Sequence, residues 1–251
     1  MSALVRAEIL KLVRRRGLMI WSAILTVGVT LVIAIILLIL HAANPAHHGP
    51  AGGVDGFEGY TGILGLLGSV VAIIIGSTAG TQDVQNGVFR DLVVTGRRRS
   101  TLFDVRTPGA FAVLMAMIVP AFLLALLVSL AFAGDKPKPS GSEIGHVVLY
   151  LLLITTVNLV IAIGLAAYLS SRIVVGVAIA WSIPVSHILI NIKALGGARK
   201  LVDTAAAEQL APRHMIDNHL PMSNLTALIV VAVWAALFLW AGRFWTSRTD
   251  A

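Results

Sequence analysis

At 251 residues, 57% apolar and 12% charged, with a mean hydropathy of +0.90, the chain lies far outside the soluble range, where about a quarter of residues are charged. Its net charge of +7 does not point to nucleic acid, because there is no aromatic interleaving and the positive charge lies beside hydrophobic segments, where it sets membrane orientation. Cysteine is absent, which excludes disulfides and thiolate metal sites.

Residues 1–17 read as an amphipathic helix. Val5, Ile9, Leu12 and Val13 make one stripe, while Glu8, Lys11, Arg14 and Arg15 occupy much of the rest. A basic helix of this kind lies in the headgroup plane, and its charges also orient the chain. The apolar run that follows, Leu18 to Leu40, is too long for a signal peptide, whose apolar region is about 7–15 residues. It reads as a retained span.

A span needs about 20 apolar residues, and six stretches qualify: 18–40, 60–80, 108–132, 146–169, 173–192 and 225–245. They are continuously apolar, without the alternation of lipid-facing strands, so the expected fold is an all-α membrane protein of six transmembrane helices in one domain. Sorting the charges places Arg6, Lys11, Arg14–Arg16, Arg90, Arg97–Arg99, Arg106, Arg172, Arg243 and Arg248 on one side. Only Lys136, Lys138, Lys193, Arg199, Lys200 and Arg213 fall on the other. The expectation is a multi-pass protein of the cell membrane with both termini cytoplasmic.

The first external loop, residues 41–59, is turn-rich, with Pro45, Gly49, Pro50, Gly52 and Gly53. Its His41, His47 and His48 have no fixed spacing of further ligands, so no metal site is expected. The second span carries Gly76-Ser-Thr-Ala-Gly80, a small-xxx-small face suited to close helix packing, within the chain in preference to a subunit interface. Between the second and third spans lies a polar cytoplasmic stretch, Asp83 to Arg106, with five arginines. Val88, Phe89, Leu92 and Val93 recur in it at helical spacing, giving a short helix with an apolar edge.

Gly134 to Glu143 reads as a plain external linker. Ser170-Ser171-Arg172 is the whole connection between the fourth and fifth spans, which must be antiparallel neighbours. The fifth span ends in its most polar stretch, where Pro184 predicts a kink and Ser182, Ser186, His187 and Asn191 either line a polar path or pack against a neighbouring helix. An external segment follows, residues 194–223, with a helix-like run at 200–210 that lies on or dips into the outer leaflet. Trp240 and Trp245 suit an interfacial belt near the cytoplasmic end of the last span.

Ionisable residues at membrane depth are costly and mark function. No Asp or Glu lies in the central part of any span, which removes the usual relay of a proton-coupled carrier. The pair His187-x-x-x-Asn191 is similar to one found in intramembrane CAAX-type proteases, but their paired glutamates are missing. There is no Gly-x-x-x-x-Gly-Lys-Ser/Thr loop, so the chain is not read as an enzyme and any ATP chemistry falls to another polypeptide.

These features together resemble the membrane subunit of an ABC-2 type ABC transporter over essentially the full length. The best local match is Asp83 to Phe103, where Gly87-Val88-Phe89-Arg90-Asp91-Leu92, followed by Arg97, Arg98, Ser100 and Leu102, looks like the pattern around that family's coupling helix. The departure is Thr107-Pro108-Gly109, where relatives often continue with a basic residue. The resemblance implies that Asp83, Gly87, Val88, Phe89, Arg90, Asp91, Leu92 and Arg97 serve coupling to an ABC ATPase subunit, present in two copies and carrying ATP and Mg, with no cofactor in this chain. It further implies a homodimer or pairing with a related permease, and export of an amphipathic or hydrophobic compound. The reading from another class is a non-transporting scaffold or sensor that recruits a cytosolic partner through the same loop.

Overall fold

Long apolar segments leave no water to satisfy backbone N–H and C=O groups, so each segment must close its hydrogen bonds internally as a helix. The computed structural model describes residues 2–85, 87, 93, 94, 96, 98–211 and 220–248, and among these the chain is helical, with no strand. Six helices are long and apolar enough to cross a bilayer, which marks a multi-pass membrane protein.

In chain order the helices are α1 (Ser2–Val13), α2 (Arg16–Ala43), α3 (Gly53–Gln85), α4 (Arg99–Asp104), α5 (Arg106–Ala131), α6 (Gly141–Leu165), α7 (Ser171–Asn191), α8 (Asp203–Gln209) and α9 (Asn224–Arg248). All six expected spans are present, several with longer ends. The third begins before the expected Pro108, at Arg106. Pro108 falls in the first turn, where backbone N–H groups have no partner within the helix and a missing one costs nothing. By alternation of the six crossings, both termini, α1 and α4 lie at one end, called here the terminal end. The connections 44–52 and 132–140 and the segment 192–211 lie at the far end.

The centre is the pair α3 and α6. Without a hydrophobic force between helices in lipid, close packing holds such a pair together, and the small-xxx-small face of α3 provides it. A Cβ on Gly76 would sit 2.6 Å from the Leu159 carbonyl oxygen, and one on Gly80 would collide with the Ala166 Cβ. The motif is therefore used within the chain, as its sequence led one to expect. Leu64, Val71, Ile75, Leu114, Leu159 and Ile163 fill the core around it. Helix α1 turns Leu12 fully inward and half-buries Val5 and Ile9, but leaves Val13 of the expected stripe exposed.

Where a kink is expected at Pro184, the helix carries a π-turn, Trp181–Val185. Proline cannot donate to the carbonyl one turn back, and one extra residue in the turn accommodates the ring. The connection between α6 and α7 is tight, but its residues are 166–170, because Ser171 and Arg172 already open α7.

At the far end the two shorter connections are tied together. Gly52 donates its N–H to the Phe132 carbonyl at 2.9 Å, Val54 donates to that of Pro137 at 3.0 Å, and Lys136 pairs with Asp55 at 3.1 Å. The stretch 134–143 is thus more than a linker, since it also caps α6 through reciprocal Ser140 and Glu143 bonds. The helix-like run expected at 200–210 forms as a 3-10 turn, Lys193–Leu201, and then α8. It folds back into the bundle, with Asp203 to Ala207 all buried. Trp181 Nε1 donates to Asp203 at 2.9 Å, and Trp234 Nε1 donates to the Leu201 carbonyl at 2.8 Å.

Candidate functional site

At the terminal end, four charged residues from three helices meet under the bundle. Glu8 and Lys11 lie one turn apart on α1, Asp83 closes α3, and Arg106 opens α5. Lys11 Nζ is 2.6 Å from Glu8 and 2.9 Å from Asp83 Oδ1, and Arg106 Nη2 is 3.5 Å from Asp83 Oδ2. The approach of α1 to α5 depends on Gly109, since a Cβ there would sit 2.6 Å from Glu8 Cβ. Arg106 is only 1% exposed and is the largest fully buried side chain of the described residues. Charges so deeply buried are tolerated only when paired, and such pairs specify geometry more than they add stability.

The expected coupling residues fall around this cluster. Asp83 is one of its members. Gly87 and Gly96 have positive φ, +70° and +80°, a left-handed conformation that suits glycine at turns. Val88, Phe89, Arg90, Asp91, Leu92 and Arg97 lie outside the described residues. Arg106, expected to be a loop charge facing the cytoplasm, is corrected to a buried ion-pair partner. The helix after the arginines, α4, buries Leu102 and Phe103 and seats Phe103 against Gly242 of α9, where Arg243 pairs with Asp104 at 3.2 Å. The two ends of the segment between α3 and α5 are therefore joined at Asp83, which Lys11 ties to α1, and α4 is anchored on α9.

Burial holds the Glu8 carboxyl above the usual carboxylate range, against the opposing pull of Lys11. A carboxyl raised in this way binds its proton more readily when folded, so the stability it contributes at low pH is lost as the pH rises through the raised value. Glu8→Gln is expected to flatten that decline between about pH 4.3 and neutrality and to leave neutral-pH stability no lower than in the parent. Thermal unfolding in detergent across that range checks it.

At the far end, the predicted polar-path residues separate. Ser182 and His187 line a cavity of about 260 Å³ together with Tyr150, Thr204 and Glu208. His187 Nε2 is 3.1 Å from Glu208, and its Nδ1 is 2.6 Å from the Ile183 carbonyl. Ser186 is fully buried and donates to the Ser182 carbonyl at 3.0 Å, which is a packing role. Asn191 is exposed and donates to the His187 carbonyl at 2.8 Å, away from the cavity. Of the loop histidines, the His41 ring contacts the His48 carbonyl at 2.7 Å. Among the described residues no group of three His, Asp or Glu is placed to hold a metal.

Sequence reasoning missed Glu8, Lys11 and Arg106 as a cluster, and Thr204 and Glu208 as cavity residues. The available signal for the first was an acid ending one span and a base opening the next, with a glycine one turn further on. The second had none, because the fold-back of α8 is not written in its local pattern. No family model and no curated protein matches this chain.

Proposed function

We propose that the chain is the membrane subunit of an ABC-2 type exporter of the cell membrane, with its terminal end cytoplasmic. A separate ABC ATPase subunit, in two copies and holding ATP and Mg, docks on the segment between α3 and α5. The chain pairs with a second copy or a related permease to enclose a path for an amphipathic or hydrophobic compound. The observation that carries this reading is the buried cluster of Lys11, Asp83 and Arg106 at the foot of the arginine-rich segment. A partner pushing on that segment moves α3 and α5 together, because their ends are joined through one carboxylate. The anchoring of α4 on α9 extends the same displacement to the last span. The sequence provides no phosphate-binding loop, which assigns ATP hydrolysis to the partner.

Orientation is tested by single cysteines in this naturally cysteine-free chain. Cysteine at Ser100 is expected to react with a membrane-impermeant maleimide only from the cytoplasmic side, and cysteine at Ser142 only from outside. Labelling of both from one side removes the six-span arrangement and the coupling role with it.

A further inference from the structure

The inner cavity at the far end is part of a longer trough. Along α3, Asp55, Glu58, Gly59, Gly62, Gly65 and Ser69 recur at three- and four-residue spacing and so share one face. Opposite them, α6 presents Glu143, Tyr150 and Ile154. The mouth is an open hollow of about 930 Å³, walled by the acid-bearing turns of α3 and by Lys138, Ser140 and Glu143. Deeper lies the cavity of about 260 Å³. Gly62 is in the wall of both, so they adjoin. Gly59 is not there to let a neighbour approach, since a Cβ on it would meet nothing within 4 Å. Its missing side chain keeps the mouth wide.

The inner wall holds a group that calls for a ligand. Thr204 is only 5% exposed, and its hydroxyl has no hydrogen-bond partner, a condition that native proteins rarely leave in place. Beside it stands the Glu208 carboxylate, which meets the half-exposed His187 at 3.1 Å. Charge selects the ligand. Asp55, Glu58, Glu143 and Glu208 line the trough against Lys138, His187 and Lys136, which pairs with Asp55, an acidic excess in a chain with only 12 acidic residues and a net charge of +7. An excess of one sign in a cleft between low-dielectric walls concentrates the opposite charge. The inner wall is a poor metal site, with one carboxylate, one imidazole and neutral hydroxyls. A primary ammonium, with three N–H donors, satisfies both Glu208 and Thr204 while its apolar body lies along Leu66 and Ile154.

We propose that this trough is a binding site for the primary ammonium head of an amphipathic molecule, which names the substrate class of the exporter. Its role in transport rests on the exporter reading, but its occupancy does not. The same ammonium chemistry is offered by a soluble alkylamine and by an aminophospholipid headgroup.

The test is binding of a dansyl-capped hexylammonium to the purified chain in phosphatidylcholine nanodiscs, against a dansyl-capped hexanoate. Saturable binding of the ammonium alone is expected. Glu208→Gln weakens it about tenfold or more, and Thr204→Val weakens it about three- to tenfold. Thr204→Ser keeps it, and Gly59→Trp closes the mouth. Competition by phosphatidylethanolamine added to the nanodiscs identifies the lipid as the source, and its failure to compete identifies the soluble amine. Equal binding of the two probes, or unchanged affinity in a Glu208→Gln protein with the parent's gel-filtration profile, overturns the site. No ATPase takes part in this assay. Loss of the site therefore leaves the exporter reading standing, and absence of an ATPase partner leaves the site standing.

Discussion

Asp83→Asn is expected to destabilise the chain by about 3–5 kcal/mol, the cost of removing one partner from a buried ion pair. Its two carboxylate oxygens serve two cations from two other helices, Lys11 at 2.9 Å and Arg106 at 3.5 Å. Lys11 retains Glu8 after the substitution, but the buried Arg106 guanidinium loses the Asp83 carboxylate that faces it. Arg106→Met should cost a comparable amount, and the double variant less than the sum, with a coupling of about 1–3 kcal/mol. Unfolding midpoints of the four proteins in detergent measure this. Additive losses contradict a direct pair and reduce the cluster to neighbouring charges. Through Gly109, which lets Glu8 cross α5, the same variants should also loosen α1, seen as faster proteolysis near Arg6.

Why the spans were legible and the cluster was not follows from the range of the forces involved. A bilayer imposes one rule on every residue of a span, so sustained apolarity at 18–40 or 225–245 declares a helix without reference to the rest of the chain. Gly76 and Gly80 were legible for a related reason, since a small-residue face has a packing use wherever a helix comes close. The meeting of Glu8, Lys11, Asp83 and Arg106 is set by how helices far apart in sequence cross, and each of these residues taken alone looks like an ordinary charge flanking a span. Arg106 was accordingly read as an orienting charge and found buried. The fold-back of α8 was hidden in the same way: Asp203 is stabilised by Trp181, 22 positions earlier, so its local sequence reads only as a moderately polar run. His187 was noticed as polar, but its partner Glu208 lies on that folded-back helix and no spacing rule connects them. Ser186 and Asn191, singled out with it, turn to backbone carbonyls of their own helix.

The second large effect is expected at Phe89, which lies outside the described residues and is argued from sequence alone. A helix that passes force between subunits buries its apolar edge in the partner and fixes its orientation by charge. Phe89 with Leu92 gives the edge, and Arg90 with Asp91 gives the charges. Buried aromatic anchors in such interfaces cost about 2 kcal/mol or more on truncation, so Phe89→Ala should weaken ATPase association about thirtyfold while the chain inserts normally. A triple Arg97/Arg98/Arg99→Gln variant is the control, because those residues retain the loop inside and touch anionic lipid if they do no more than orient the chain.

The measurement that bears most directly on the exporter reading is purification of the tagged chain from its own membranes, with ATP hydrolysis assayed in the product for the parent and for Phe89→Ala. The expected result is recovery, in equal amount with the parent, of a polypeptide that carries a phosphate-binding loop and hydrolyses ATP, and loss of both from the Phe89→Ala preparation at unchanged yield of the chain. A parent preparation free of such a polypeptide and of hydrolysis, or one in which Phe89→Ala retains full hydrolysis and full transport, contradicts it.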